Sequence, residues 1–205
     1  MAQVACLAPD ARRLMLAARV ISDLLSPAAL AVPALALGVW ASDVPGTYLY
    51  ALLYFAVAVP VPLAYLLWLL RTGRITDFHL PDRRERTGPF AVASGSALSA
   101  VGLLFYLHAP DAFLVPLVAA LAQTLMLFAI TLVWQISIHS ATSAGLATFG
   151  FCTLGRAALV LSLLVPLVIW ARLYLRRHTL MQTLAGAAVG SGAFAAVFFL
   201  HAVLW

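Results

Sequence analysis

The chain has 205 residues, 64% of them hydrophobic and 9% charged, with a mean hydropathy of +1.04. A soluble domain carries about 25% charged residues, so a soluble enzyme is excluded, and no aromatic-basic surface supports a nucleic-acid partner. The net charge of +5 rests on arginine alone, and the two cysteines, Cys6 and Cys152, are too few for a disulfide framework or a metal cluster.

In chain order, Asp10, Arg12, Arg13 and Arg19 precede the first apolar run, which is too long for the core of a cleaved signal. They read as juxtamembrane charge, with a short surface helix over 8–20 as the alternative. Apolar runs of about 20 residues then recur, the length a bilayer core demands of a helix. The first runs from Leu24 to Ala41, with Pro27 in its opening turn and Pro33 in its middle. A turn over 42–46 leads to the second, Thr47 to Leu70, where Pro60 and Pro62 predict kinks. A polar segment, Arg71 to Pro89, precedes the third span, Phe90 to Leu107. The fourth is Phe113 to Trp134. A second polar segment, Gln135 to Ser143, opens a short fifth span ending near Gly155 and Arg156. The sixth runs from Ala157 to Leu175, a third polar stretch covers 171–182, and the seventh closes at Trp205. The expected fold is therefore all-α, a polytopic membrane bundle of about seven spans. Residues 1–70 form an N-terminal segment with two spans, and 71–205 form a helical core. Gly186 and Gly190 predict close packing against a neighbouring helix, or a homodimer contact.

Two spans separate each polar segment from the next, so all three fall on one membrane face with the N-terminus. Of the 12 arginines only Arg156 falls opposite. By the positive-inside rule the shared face is cytoplasmic, which predicts a multi-pass protein of the cell inner membrane.

The polar segments hold the chemistry. Arg172 and Arg176 are four apart at one helix end, and His178 and Gln182 are four apart at the start of the next. Guanidinium forks suit phosphate, and a neutral imidazole can attack phosphorus when a partner fixes its tautomer. Arg177 reads as an interfacial charge. In the second segment, His139 sits at a helix start among small residues, where exposed N–H groups favour an anion. It is a candidate general acid, with Ser137 as a further phosphate donor. In the first segment, Arg83 and Arg86 are three apart, a spacing that predicts both can reach one phosphate. Asp77, Asp82 and Glu85 are there to orient them, or to hold Mg2+ and a diphosphate.

In order and spacing, the three segments resemble the type 2 phosphatidic acid phosphatase (PAP2) family. Arg172 and His178 keep the spacing of that family's Ser-Arg-x5-His-x3-Asp motif, with Ala171 in place of the serine and Gln182 in place of the aspartate. Ser137 and His139 keep the spacing of its Pro-Ser-Gly-His motif, with Ile136 and Ile138 replacing proline and glycine. Arg86 matches the arginine of its first motif, with Thr87 and Gly88 inserted before Pro89. The resemblance implies a PAP2-like core. It also implies a metal-independent, cofactor-free phosphatase acting on a lipid or isoprenoid phosphate through a phosphohistidine. His178 would be the nucleophile, His139 the acid, Gln182 its orienting partner, and Arg83, Arg86, Ser137 and Arg172 the phosphate ligands. The replacement of aspartate by Gln182 also raises a catalytically silent PAP2-like subunit or lipid-binding protein, with membrane lipids and other membrane proteins as partners. A prenyl-transferring enzyme, resting on Asp77 and Asp82 alone, ranks last.

Overall fold

The computed structural model describes residues 9–75 and 83–204, and all regular structure among them is helical. Helix α1 (Pro9–Leu24) carries the N-terminal charges, and α2 (Pro27–Ser42) leaves it at a bend of 45°. The break is local chemistry. The Ser26 hydroxyl accepts the Ala29 N–H at 3.4 Å as N-cap, and Pro27 takes the first helical position, where its missing N–H costs nothing. Helices α3 (Thr47–Ala58) and α4 (Pro60–Arg71) form one apolar run interrupted at Val59, as the prolines predict.

Helix α5 (Arg83–Tyr106) begins earlier than expected. Arg83 to Pro89, read from sequence as the end of a polar loop, forms its first two turns instead. The segment Arg-Arg-Glu-Arg is rich in helix formers, and Pro89 is accommodated inside the helix. Helix α6 (Asp111–Val133) follows. Then come α7 (Ile138–Leu154), a 3-10 helix (Gly155–Leu163), α8 (Leu164–Tyr174) and α9 (Leu180–Leu204).

Among the described residues five helical runs are long and apolar enough to cross a membrane, and six if the bent α1–α2 pair is one span. The bundle's largest side chains face outward. Trp40, Tyr48 and Tyr106 are exposed at one end, while Trp68, Trp134 and Trp170 are exposed at the other. Trp and Tyr are the residues enriched at the two interfaces of a bilayer. Inside, Phe113 and Leu104 anchor one cluster, and Phe149 and Phe194 stack in a second.

The helical run Ile138–Tyr174 has 37 residues, which if straight would extend about 55 Å. It does not run straight. Gly155 adopts φ 62°, ψ −139° and turns the chain back. A Cβ placed on Gly150 would lie 2.5 Å from Leu161 Cδ1 and 3.2 Å from Ala158 Cβ, contacts a continuous helix cannot make. The returning arm, the 3-10 helix with α8, packs along α7, so Ile138 and Arg172 end up on one cavity.

Helix α9 runs parallel to α7. Gly186 lies against the Ser137 carbonyl and Gly190 against the Ala141 carbonyl, with no room for a Cβ at either. The close-packing glycines are thus used within the chain. On α7 they meet a buried face of Ser140, Ala141, Ala144 and Gly145, small residues that let the two backbones approach. The N-termini of α7 and α9 consequently sit side by side, tied by the Ser137 N–H donating to the Gln182 carbonyl at 3.2 Å.

Candidate functional site

The stretch 172–182 contains two helix caps with one residue between them. At the end of α8, the Arg176 N–H donates to the Leu173 carbonyl at 2.9 Å and the Arg177 N–H to the Arg172 carbonyl at 3.0 Å. Arg176 has φ 53°. This is the Schellman pattern, with arginine at the left-handed position usually held by glycine. At the start of α9, the Thr179 hydroxyl accepts the Gln182 N–H at 3.4 Å, and Gln182 Oε1 accepts the Thr179 N–H at 3.1 Å. That is a reciprocal capping box. His178 is the link between the two caps, so its backbone is held from both sides.

Gln182 Oε1 also lies 3.1 Å from His178 Nδ1. Because the same oxygen takes a backbone N–H, the amide orientation is assigned by the cap, and Nδ1 must be the donor. The lone pair then resides on Nε2. Burial, and then the charge of Arg172, push the His178 pKa down from 6.5 to about 4, with Arg86 and Arg177 adding to the fall and the Gln182 hydrogen bond opposing it. At neutral pH the ring is uncharged. That is the state a nucleophilic imidazole needs.

His139 occupies the first turn of α7, and Arg86 the first turns of α5. With Arg172 and His178 they line a single cavity of about 520 Å3. Both arginines are buried, Arg86 to 7% exposure and Arg172 to 6%. Their like charges act on each other, with Asp23 as a countercharge to Arg172. Burying two guanidinium groups together is costly unless an anion joins them. Two parallel helix N-termini at the same place add further positive potential.

Apart from Asp23 and Ser26, the rest of the wall is apolar: Pro27 and Ala28 of α2, Pro62, Leu63 and Leu66 of α4, and Phe90 and Ala93 of α5. Helix α4 packs on α3 and α5, whereas α2 packs on α6 and α7, and the cavity lies between these two groups.

The other expected site residues lie elsewhere. Ser137 is fully buried and is the N-cap of α7, its Oγ accepting the Ser140 N–H at 3.4 Å and the Ser140 hydroxyl at 3.0 Å. It does not form part of the cavity wall. Arg83 opens α5, but its side chain is outside the described part of the structure, as are Asp77 and Asp82. Arg177 is exposed, in keeping with an interfacial charge. Gln182 acts from behind His178, not on the wall itself.

Two residues of the N-terminal segment reach the site without having been expected there. Arg172 Nη1 donates to Ser22 Oγ at 3.0 Å, and Asp23 lines the cavity. Ala171, at the serine position of the resembled motif, is buried and supplies no hydroxyl. The polar pair Ser22-Asp23 at the head of an apolar run was the available signal. Comparison with protein-family models, with curated proteins and with solved structures finds no match to this chain.

Proposed function

We propose that this cavity binds and cleaves a phosphoryl group, and that the protein is a metal-independent, PAP2-like membrane phosphatase of a lipid or isoprenoid phosphate monoester or diphosphate. The observation that carries the reading is the meeting of His139, His178, Arg86 and Arg172 on one largely apolar cavity, which Asp23 also lines, with the His178 lone pair on Nε2. Arg86 and Arg172 hold the phosphoryl oxygens. His178 Nε2 attacks phosphorus and the P–O bond to the lipid alcohol breaks, with His139 giving its proton to the leaving oxygen. Water then attacks phosphorus and gives a proton to His139, the P–Nε2 bond breaks with its electron pair returning to the ring, and phosphate leaves with His178 neutral again. Charge stabilisation by fixed donors is the main demand of such a transfer. The apolar walls from α2, α4 and α5 suit the first carbons of a long tail entering from the bilayer.

In this reading α7 and the returning arm cross separately. With α1–α2, α3–α4, α5, α6 and α9 the chain makes seven crossings. The N-terminus and the site then share the arginine-rich face, in the cytoplasm of an inner membrane. Cysteines at Arg74 and Asp43, both exposed, should label from opposite sides.

A second reading, a silent PAP2-like or lipid-binding subunit, is favoured by the uncharged partner of His178. One assay separates the two: phosphate release from a long-chain alkyl phosphate in detergent with EDTA, for wild type and His178→Ala. Release that resists EDTA and vanishes in the variant supports the phosphatase. Equal background in both supports the silent subunit, and EDTA-sensitive release points to a metal-dependent enzyme.

A further inference from the structure

Helix α1 touches the end of α8 at two places. The Tyr174 hydroxyl donates to the Ala11 carbonyl at 3.4 Å, and Arg172 Nη1 donates to Ser22 Oγ at 3.0 Å. The two contact points are eleven residues apart on α1, about 16 Å, but only two residues apart on α8. Helix α1 thus packs on the C-terminal part of α8 over about three turns of its own length. Between the contacts Ala18 is fully buried, while Arg12, Arg13 and Arg19 point outward.

The buried end of this strap bears on the site. Ser22 is 3% exposed and Arg172 is 6% exposed. The Nε of Arg172 is buried with no hydrogen-bond partner among the described residues, and the side chain is on the cavity wall. A guanidinium is a planar fork of five N–H donors. Fixing Nη1 fixes the plane and hence which part of the fork faces the cavity.

We propose that Ser22 is a positioning residue: it pins one arm of Arg172 so that the accessible part of the guanidinium is offered to a phosphoryl oxygen in the cavity. The inference rests on the phosphoryl reading of the cavity given above. It assigns the N-terminal helix a part in the site, and makes the binding strength of Arg172 depend on how α1 is seated. The serine hydroxyl is suited to this. It accepts the Nη1–H without adding a negative charge that would compete with the phosphoryl group for the arginine.

The test uses inorganic phosphate as probe, with affinity measured calorimetrically on the full chain in detergent micelles and thermal midpoints recorded alongside. Ser22→Ala should weaken phosphate binding about tenfold, the equivalent of losing one charge-assisted hydrogen bond. Ser22→Thr, which keeps the acceptor, should restore affinity to within about threefold of wild type. Ser22→Cys keeps nearly the same volume but accepts weakly, and should behave as the alanine variant at an unchanged midpoint. Wild-type affinity in Ser22→Ala or Ser22→Cys, with affinity lost in Arg172→Ala, overturns the role of Ser22 and leaves the phosphoryl site standing. Equal binding by wild type and Arg172→Ala, or none by either, overturns both.

Discussion

Gln182 Oε1 stands 3.1 Å from His178 Nδ1 and simultaneously closes the cap of α9 by accepting the Thr179 N–H. One amide oxygen therefore sets both the start of a helix and the tautomer of the candidate nucleophile. It provides orientation without charge. Glutamate fits the same third position of a capping box, so Gln182→Glu should leave the helix intact and add a carboxylate beside the ring. The variant is expected to raise the His178 pKa and to speed phosphoenzyme formation about 10- to 100-fold. That is less than the ~10⁴ lost when a serine-protease triad aspartate becomes an amide, because that loss is attributed to the wrong tautomer and here the tautomer is already right. Gln182→Leu removes the side-chain half of the cap and the acceptor of the ring N–H together, and should slow the step at least about 100-fold. Rapid-quench trapping of phosphohistidine would measure both. Identical rates across the three proteins would remove Gln182 from the mechanism.

The depressed pKa of His178 has a consequence for stability. The unfolded ring titrates near 6.5, whereas the folded ring resists protonation until about 4. Between those values the unfolded chain binds a proton that the native chain refuses. Stability is thus fully present above pH 6.5, falls as pH drops toward 4, and has no further dependence on this group below that. The difference amounts to something on the order of 3 kcal/mol. Thermal melts from pH 7 to 4 should show a decline that is shallower in His178→Asn. In kcat/KM, which reports the free enzyme, the acid limb should lie near 4. A limb near 6.5 would mean that the ring is solvated and its burial irrelevant.

Arg176 is exposed and holds the left-handed position of the Schellman turn at φ 53°. A residue with a Cβ pays roughly 1 kcal/mol there, partly offset by a cation's favourable interaction with the helix C-terminus. Arg176→Gly relieves the strain and loses the charge, for a net gain of about 0.5 kcal/mol. Arg176→Ala keeps the strain and loses the charge, for a net loss of similar size. The midpoints should rank Gly above Arg above Ala, with phosphate affinity changed little. Ala above Gly would show that the turn is not left-handed in solution.

The helical class and the outer limits of most spans were legible because a bilayer imposes a long apolar run that few other contexts tolerate. The spacing of Arg172, His178 and Gln182 was legible for a similar reason. Two caps joined by a single residue leave their polar side chains at invariant intervals. Other features were hidden. Arg83 to Arg86 are helix formers by propensity, but charged residues serve a loop as well as a helix start, so composition alone did not decide between them. Ser137 has the residue type of both a phosphate donor and an N-cap, and only the packing of α7 against α9 assigns its oxygen to Ser140. Ser22 and Asp23 stand out as a polar pair at the head of an apolar run, but they meet the site from about 150 residues away in sequence, and no local pattern names a partner that distant.

Gly190 joins the fold to the site. The position its Cβ would take collides with the carbonyl, the carbonyl carbon and the Cα of Ala141, all backbone atoms that cannot rotate aside. Gly190→Ala must therefore push α9 off α7, at a cost of about 1–3 kcal/mol. Gly192, two residues on, has nothing within 4 Å of the same position, so Gly192→Ala is the matched control and should be neutral or slightly stabilising. Helix α7 carries His139 and α9 follows directly from His178, so any displacement separates the two imidazoles. A shift of about 1 Å in reacting groups can cost about 100-fold in rate. Gly190→Ala should accordingly lower both the thermal midpoint and phosphate release, while Gly192→Ala lowers neither. If Gly190→Ala melts like wild type, the parallel contact between α7 and α9 is wrong, and with it the juxtaposition of the two helix N-termini at the cavity.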